Sequence, residues 1–579
     1  LRLFIQKLNF GHIALLVIFP IILALINPNW IFNTYIIDDY IYLGYQIDLP
    51  AYIGWYPSDS QYYIDRISWI LPSYYVRQLF SPLVANFVIH LSVYYLAIFS
   101  VYGILNRLFN KRIALITCLM MGQFSLFLRA VGWDYVDGYS LALLSLCAML
   151  VTYAATATKA RWYLFGAGAV ASIMGVAQLF NIFYFPALGM YYLWLNHHEK
   201  RHHIGIALLY GGLGAGILFG IQTLAYYQFT GNWFIWQNSI NASREGLESG
   251  HWRNLIDSNY EVSFANWHVF YLMTVVIATS AVLWSKRFRG IYGDTTPNFR
   301  PHLQATWVFF IGCYGVLGAW LILYDHHLYR LSFYSSAVIP SLFTIIGALF
   351  AGRLYRLSDI QFRTVAIFAT VTPIAFFALY TLLSLIQLFL MWLVALFLGI
   401  FFYVISFTVK KHASIINFIV AIVLLSYVSG LDRNNIGIYT TSRYYNQAMY
   451  EMVTEATGII NPRYDLFSPS NFRFWYHKDD PQIRIIHALT SIYLQQWGRR
   501  ILAMGSETQY RRWDANLYLT QEVILLTTDQ SPEEILAEGN AILARAGYEL
   551  YVLDQATIQN GVTTLQVIFT QVRPIAPSD

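Results

Sequence analysis

Two adjacent carboxylates, Asp38 and Asp39, stand in the stretch FNTYIIDDYIYLGYQ, directly after an apolar run. An acid at the edge of a lipid phase is often merely hydrated. It can also serve as a general base towards a hydroxyl held beside it. Touching carboxylates repel, which raises the proton affinity of one of them unless a cation lies between. The pair could therefore hold a divalent ion, or one acid could position the other. A second acidic element, GWDYVDGY, sets Asp134 and Asp137 three residues apart. On a helical turn that spacing puts both on one face, whereas a polar turn with glycine caps is the plainer alternative. A third element, YDHHLYRLSFYS, carries Arg330 with His326 and His327. A guanidinium is always charged and grips phosphate oxygens through paired N–H groups, and the imidazoles could add donors. The plainer alternative is an arginine floating at headgroup level.

The elements that must position these residues are membrane helices. Of 579 residues, 57% are hydrophobic and only 12% charged, with mean hydropathy +0.48. Soluble domains carry about twice that charge, so the fold class is a polytopic α-helical membrane protein. Aromatic residues make up 18%, as expected where Tyr and Trp gather at bilayer interfaces. The net charge of +5 is spread over short loops with no basic-aromatic patch, which argues against a nucleic-acid partner. The three cysteines, Cys118, Cys147 and Cys313, all fall in apolar segments and imply no disulfide framework. The chain opens on Leu1, and its first apolar run lacks a small-residue cleavage site, so that run reads as a retained helix.

Spans of about 20 apolar residues number about thirteen: 12–31, 83–104, 112–128, 139–157, 162–179, 181–195, 204–228, 267–285, 305–323, 335–351, 364–385, 387–409 and 413–430. Pro186 is expected to kink the sixth. Alternate loops are basic: Arg107, Lys111 and Arg112; Lys159 and Arg161; Lys200 and Arg201; Lys286, Arg287, Arg289 and Arg300; Arg353, Arg356 and Arg363; Lys410 and Lys411. That alternation puts the N-terminus in the cytoplasm and, after an odd number of spans, the C-terminal region outside. The outer loops are then 32–82, 129–139 and 229–266, with Asp48, Asp59 and Asp65 also in the first. Within it, PSDSQYYIDRISWILPSYYVRQLF reads as helix lying in the interface. Both acidic elements and Arg330 face the same outer side.

Residues 1–430 thus form a transmembrane catalytic domain and 431–579 an extracytoplasmic α/β domain. In the latter, IRIIHA, ILAMGS, EVILLTT, YELYVL and TTLQVIFTQV read as strands, and SPEEILAEGNAILARAG as a helix capped by Ser531 and stopped by Gly547. There is no internal repeat. NHHEKRHH reads as a solvated basic loop rather than a metal site. NAS at Asn241 is a glycosylation acceptor only in a secretory pathway, and YGGLGAGILFG reads as close helix packing rather than a phosphate loop. Walker, Rossmann, HExxH and nucleophile-elbow motifs are absent.

DDYIYLGY in the first outer loop, WDYVDG before the fourth span and the outer arginine of HHLYR resemble the GT-C superfamily of membrane glycosyltransferases. About thirteen spans with an outer C-terminal α/β domain is similar to its protein O-mannosyltransferase and aminoarabinose-transferase branch. The soluble RRWDANLY lacks the doubled tryptophan of the oligosaccharyltransferase branch, so en bloc transfer to asparagine is not expected. The resemblance implies a polyprenyl-phosphate-linked sugar donor and a glycan, lipid or protein acceptor. It places the catalytic role on Asp38 or Asp39, the second acid on Asp137 or Asp134, and the lipid phosphate at Arg330. It implies inversion at the anomeric carbon and no nucleotide cofactor, and it leaves open a divalent metal at Asp38 and Asp39. Few sequons and no disulfide pattern favour a bacterial inner membrane with a periplasmic C-terminal domain. The rival functions are a transporter or flippase, and a polymerase or ligase, acting on lipid-linked saccharides.

Overall fold

The computed structural model describes residues 10–26, 30–31, 62–80, 82–132, 135–157, 159–198, 204–248, 299–324, 336–354, 357–382, 472–477, 501–504, 522–528, 530–544, 547–559 and 564–575, with single positions in 42–53 and 452–459. The chain forms two compact units: Leu1–Asn33, Tyr56–Pro72 and Phe87–Thr440 make the first, and Thr34–Trp55, Ser73–Asn86 and Thr441–Asp579 the second.

The helices run α1 (Phe10–Ile26), a 3-10 turn (Ile64–Arg66), α2 (Ile67–Leu79), α3 (Pro82–Leu108), α4 (Lys111–Gly122), α5 (Ser125–Gly132) and α6 (Val136–Thr156). After them come α7 (Ala160–Ala177), a 3-10 segment (Leu179–Tyr184), α8 (Phe185–His198), α9 (Ile204–Thr230) and α10 (Gln237–Glu248). The series closes with α11 (Phe299–Tyr324), a 3-10 turn (Ser336–Val338), α12 (Ile339–Leu354) and α13 (Asp359–Leu382). Among the described residues five helices are long and apolar enough to cross a membrane, Val84–Leu108, Val136–Thr156, Ala160–Ala177, Ile204–Thr230 and Phe299–Trp320. Phe10–Ile26 and Ser336–Ala351 are shorter apolar helices. The spans expected at 267–285, 387–409 and 413–430 lie outside the described residues.

Two expectations need correction. The third span, 112–128, is not one helix: α4 and α5 meet at a 72° bend. The break falls at Gly122, whose carbonyl accepts from the Tyr94 hydroxyl at 3.3 Å. A Cβ at that position would collide with the same hydroxyl. The Phe124 amide turns back to the Met121 carbonyl at 3.0 Å. Gln123 and Phe124 are buried, as irregular backbone at membrane depth must be. Pro186, in turn, does not kink the middle of a span. It occupies the first turn of α8, where a missing N–H costs nothing.

Glycines set the closest helix approach. A Cβ on Gly168 of α7 would overlap the Gly211 backbone of α9, and one on Gly214 would overlap the Phe165 carbonyl oxygen, so the run GGLGAG lets two backbones touch. Residues that the charge pattern puts on the cytoplasmic side also touch one another. Arg107 Nε donates to Thr156 Oγ1 at 2.7 Å. Arg112 pairs with Asp359 and donates to the Leu357 carbonyl at 2.8 Å. His302 Nδ1 lies 2.6 Å from the Leu108 carbonyl oxygen. The ends of α3, α4, α6, α11 and α13 are thereby joined on one side.

The second unit holds a sheet of order β2-β1-β3-β5-β4. Strand β1 (Phe472–His477) runs parallel to β2 (Ile501–Met504) and β3 (Glu522–Thr527). Strand β5 (Thr564–Pro574) is antiparallel to β3 and to β4 (Tyr548–Gln559). The apolar run of β3 is buried almost throughout, as a strand covered on both faces should be. Helix α14 (Pro532–Ala544) packs Ile535 and Leu543 on Val523, Leu525, Leu550 and Ile568. Its start is a reciprocal cap: the Ser531 amide donates to Glu534 Oε2 at 2.9 Å, and the Glu534 amide donates to Ser531 Oγ at 3.3 Å. Gly547 stops it with φ +82°. Strand β1, FRFWYH, is one that sequence reading did not pick out, and IRIIHA lies outside the described residues.

Candidate active site

The second acidic element is a crossing of two helices. Asp137 sits one residue inside α6 and is 1% exposed. The next residue is glycine for a steric reason: a Cβ on Gly138 would overlap the Ala130 carbonyl oxygen and stand 2.7 Å from Val131 Cα. Gly132 closes α5, where a Cβ would overlap the backbone carbonyl of Trp30. The end of α5 therefore rests on the chain leaving α1 at Trp30, eight residues ahead of Asp38 in sequence. His90 Nδ1 of α3 lies 2.7 Å from the Val131 carbonyl oxygen. Tyr94 packs its ring 6.1 Å from that of Trp30 and 5.2 Å from that of Phe127. The glycines that sequence reading allowed as caps are contact points.

Polar groups continue along α6. Ser140 accepts from Asn181 Nδ2 at 2.8 Å, and the same amide donates to the Met174 carbonyl at 2.9 Å. Asn181 and Tyr184 are buried, and Tyr184 lies within the field of the Asp137 carboxylate. The 3-10 turn Ser336–Val338 packs on α5 and α6; it begins six residues after Arg330. Segments adjoining two of the three candidate motifs thus meet the third.

A second buried acid stands in the 3-10 turn Ile64–Arg66. Asp65 is 1% exposed. Its Oδ1 accepts from the Tyr226 hydroxyl at 3.0 Å and from Asn238 Nδ2 at 3.2 Å, and its Oδ2 accepts from the Ser239 amide at 2.6 Å. Burial nevertheless pushes this carboxyl up to about 6, against the opposing pull of those donors. The residues that follow it grip the Asp137 wall. The Arg66 guanidinium lies 5.0 Å from the Tyr62 ring centre and 5.2 Å from that of Tyr135. Ser68 Oγ donates to the Ile173 carbonyl at 3.1 Å. The Trp69 ring stands 5.2 Å from that of Tyr139. Sequence reading noted Asp65 only as one acid among several. Its signal was a lone acid inside an amphipathic run, YYIDRISWI, which an interfacial helix would otherwise keep at its surface.

Of the predicted site residues, Asp137 is placed. Asp38, Asp39, Asp134, His326, His327 and Arg330 lie outside the described residues. Among the described residues no three His, Cys, Asp or Glu side chains gather as metal ligands. The three cysteines are buried and free.

No protein-family model matches this sequence, and no curated protein does. Solved structures match in fold. ArnT from Cupriavidus metallidurans, bound to undecaprenyl phosphate, is 15% identical with a TM-score of 0.52, over 97% of this chain and 98% of that one. The same protein in the apo state gives 13% and 0.48, over 94% and 97%. The oligosaccharyltransferase of Archaeoglobus fulgidus in its apo form gives 12% and 0.41, over 94% and 73%. The fold is that of ArnT along nearly the whole of both chains.

Proposed function

We propose, from this GT-C fold, that the protein moves a sugar from a polyprenyl-phosphate donor to an extracytoplasmic acceptor. The observation that carries the reading is the buried Asp137, fixed by the α5–α6 crossing against the chain that leads to Asp38 and Asp39. Asp38 or Asp39 takes the proton of an acceptor hydroxyl. The freed oxygen attacks the anomeric carbon in line, and the bond from that carbon to the phosphate oxygen breaks. The sugar is transferred with inversion. The polyprenyl phosphate departs with growing negative charge, which Arg330 neutralises with donors from His326 and His327. Asp137, with Asp134 beside it in sequence, supplies the second acid, and Ser140, Asn181 and Tyr184 line its helix. The acceptor is a glycan, lipid or protein, and the sugar a hexose or pentose. The setting is a bacterial inner membrane with residues 431–579 in the periplasm.

The test uses purified protein in nanodiscs, without a membrane gradient. It is given a panel of labelled undecaprenyl-phosphate sugars and an envelope extract from cells lacking the protein. A new covalent product that depends on the protein supports the reading. Label that crosses a vesicle membrane without any new bond would identify a transporter instead. Transfer of whole glycan chains would identify a polymerase or ligase.

A further inference from the structure

Both ends of the stretch 226–239 are bonded to one carboxylate. Tyr226, near the end of α9, donates to Asp65 Oδ1, and Asn238 and Ser239, opening α10, donate to Oδ1 and Oδ2. Between them the chain is organised by its own bonds. Thr230 Oγ1 donates to the Tyr226 carbonyl at 2.8 Å and accepts from the Asn232 amide at 3.2 Å. Asn232 Oδ1 accepts from the Phe234 amide at 2.9 Å. Gly231 takes φ +70°, which lets the chain reverse. This stretch opens the outer loop 229–266.

A buried carboxylate is costly unless donors surround it, so ordinary packing at this position would use an apolar side chain. The carboxylate accepts from all three groups that face it; Asn238 Nδ2 and the Ser239 amide are N–H donors, and the Tyr226 hydroxyl can donate or accept. On the other side, Arg66 and Trp69 fasten the same short segment to Tyr135 and Tyr139, two residues either side of Asp137, and Ser68 fastens it to Ile173 of α7. We propose that Asp65 is a positioning residue: it clasps the 226–239 turn and holds the start of α10 in fixed relation to Tyr135 and Tyr139 beside Asp137, so that this turn receives the acceptor. The acceptor part of this inference rests on the glycosyltransfer reading above.

Hydrogen exchange on the protein in nanodiscs tests the clasp without any substrate. Tyr226→Phe and Asn238→Ala each remove one donor to a buried charge, and each should speed exchange at the start of α10 by about tenfold or more. Exchange in α6 and α11 should not change. Asp65→Ala should loosen the turn further, with Asp65→Glu recovering part of the protection. Unchanged exchange in all of these variants would overturn the clasp. In the transfer assay, the concentration of envelope extract giving half-maximal rate should rise several-fold in Tyr226→Phe, while affinity for undecaprenyl phosphate stays constant. A loosened turn with unchanged extract dependence overturns the positioning role, as does an equal loss of undecaprenyl phosphate binding. Absence of transfer by the wild type overturns the glycosyltransfer reading and the acceptor role with it, and the exchange result still decides the clasp.

Discussion

Lowering the pH will tighten the turn around Asp65. Burial lifts this carboxyl from 3.8 to about 6 although three donors pull the other way. A carboxyl raised in the closed arrangement binds its proton more tightly there than when the turn opens to water. Closure is therefore most favourable below about pH 4, loses ground between about pH 4 and pH 6, and is level above that. The lift from 3.8 to about 6 corresponds to about 3 kcal/mol, or roughly a hundredfold in the opening constant. The Tyr226 phenol that donates to this carboxylate and the guanidinium of the adjacent Arg66 keep their charge across this window. The assay is hydrogen exchange of the 226–248 region from about pH 4 to about pH 8, with Asp65→Asn at each pH as the reference that removes the chemical pH dependence. Infrared difference spectra supply the second readout: a carboxylic-acid carbonyl band that titrates near pH 6 and is missing in Asp65→Asn. Tyr226→Phe removes a bond to the charged form and should move that midpoint upwards. A midpoint near 4, or a wild-type to variant ratio that does not change with pH, would refute the reasoning.

Single replacement of Asp38, Asp39 or Asp137 by Asn should reduce transfer by about a hundredfold or more for the acids that act, with expression intact; full activity in all three sinks the assignment. Arg330→Ala should weaken binding of undecaprenyl phosphate about ten- to hundredfold, with Arg330→Lys in between, and unchanged affinity measured by quenching of tryptophan fluorescence would remove Arg330 from the phosphate site. Gly132→Ala forces the α5 terminus off the Trp30 backbone and should cost about 1–3 kcal/mol, read as an earlier thermal transition. Gly189→Ala in α8, where an added Cβ meets nothing within 4 Å, should be neutral or slightly stabilising, and equal effects at the two glycines would refute the close-contact argument.

The helices were legible because long apolar runs can satisfy their backbone only as helix. The bonds of Arg107, Arg112 and His302 join helix ends that lie beside the basic loops. The break at Gly122 was not legible, because a glycine in an apolar run is as compatible with a continuous helix as with a bend. What decides it is Tyr94, on a different helix, capping the open carbonyl. The cap of α14 was legible for the opposite reason, since Ser531 and Glu534 are local partners. At the site, sequence marked Asp137 by its neighbours in a short motif. It ranked Asp65 no higher than other loop acids, because Tyr226, Asn238 and Ser239 are distant in sequence. Buried polar groups satisfied by remote donors leave no local trace.

The length of α9 has a consequence for the lipid around it. At 27 residues it is about 40 Å long, while the hydrocarbon layer is about 30 Å thick. Such a helix must lean, protrude or thicken the bilayer around it. It cannot lean alone, because Gly168 and Gly214 bring its backbone against that of α7, so the two move as one ridge. Its C-terminal end is also tied, through Tyr226, to Asp65. A change in bilayer thickness that tips this ridge will therefore load one hydrogen bond to a buried carboxylate, and the composition of the membrane becomes a variable that this turn can sense.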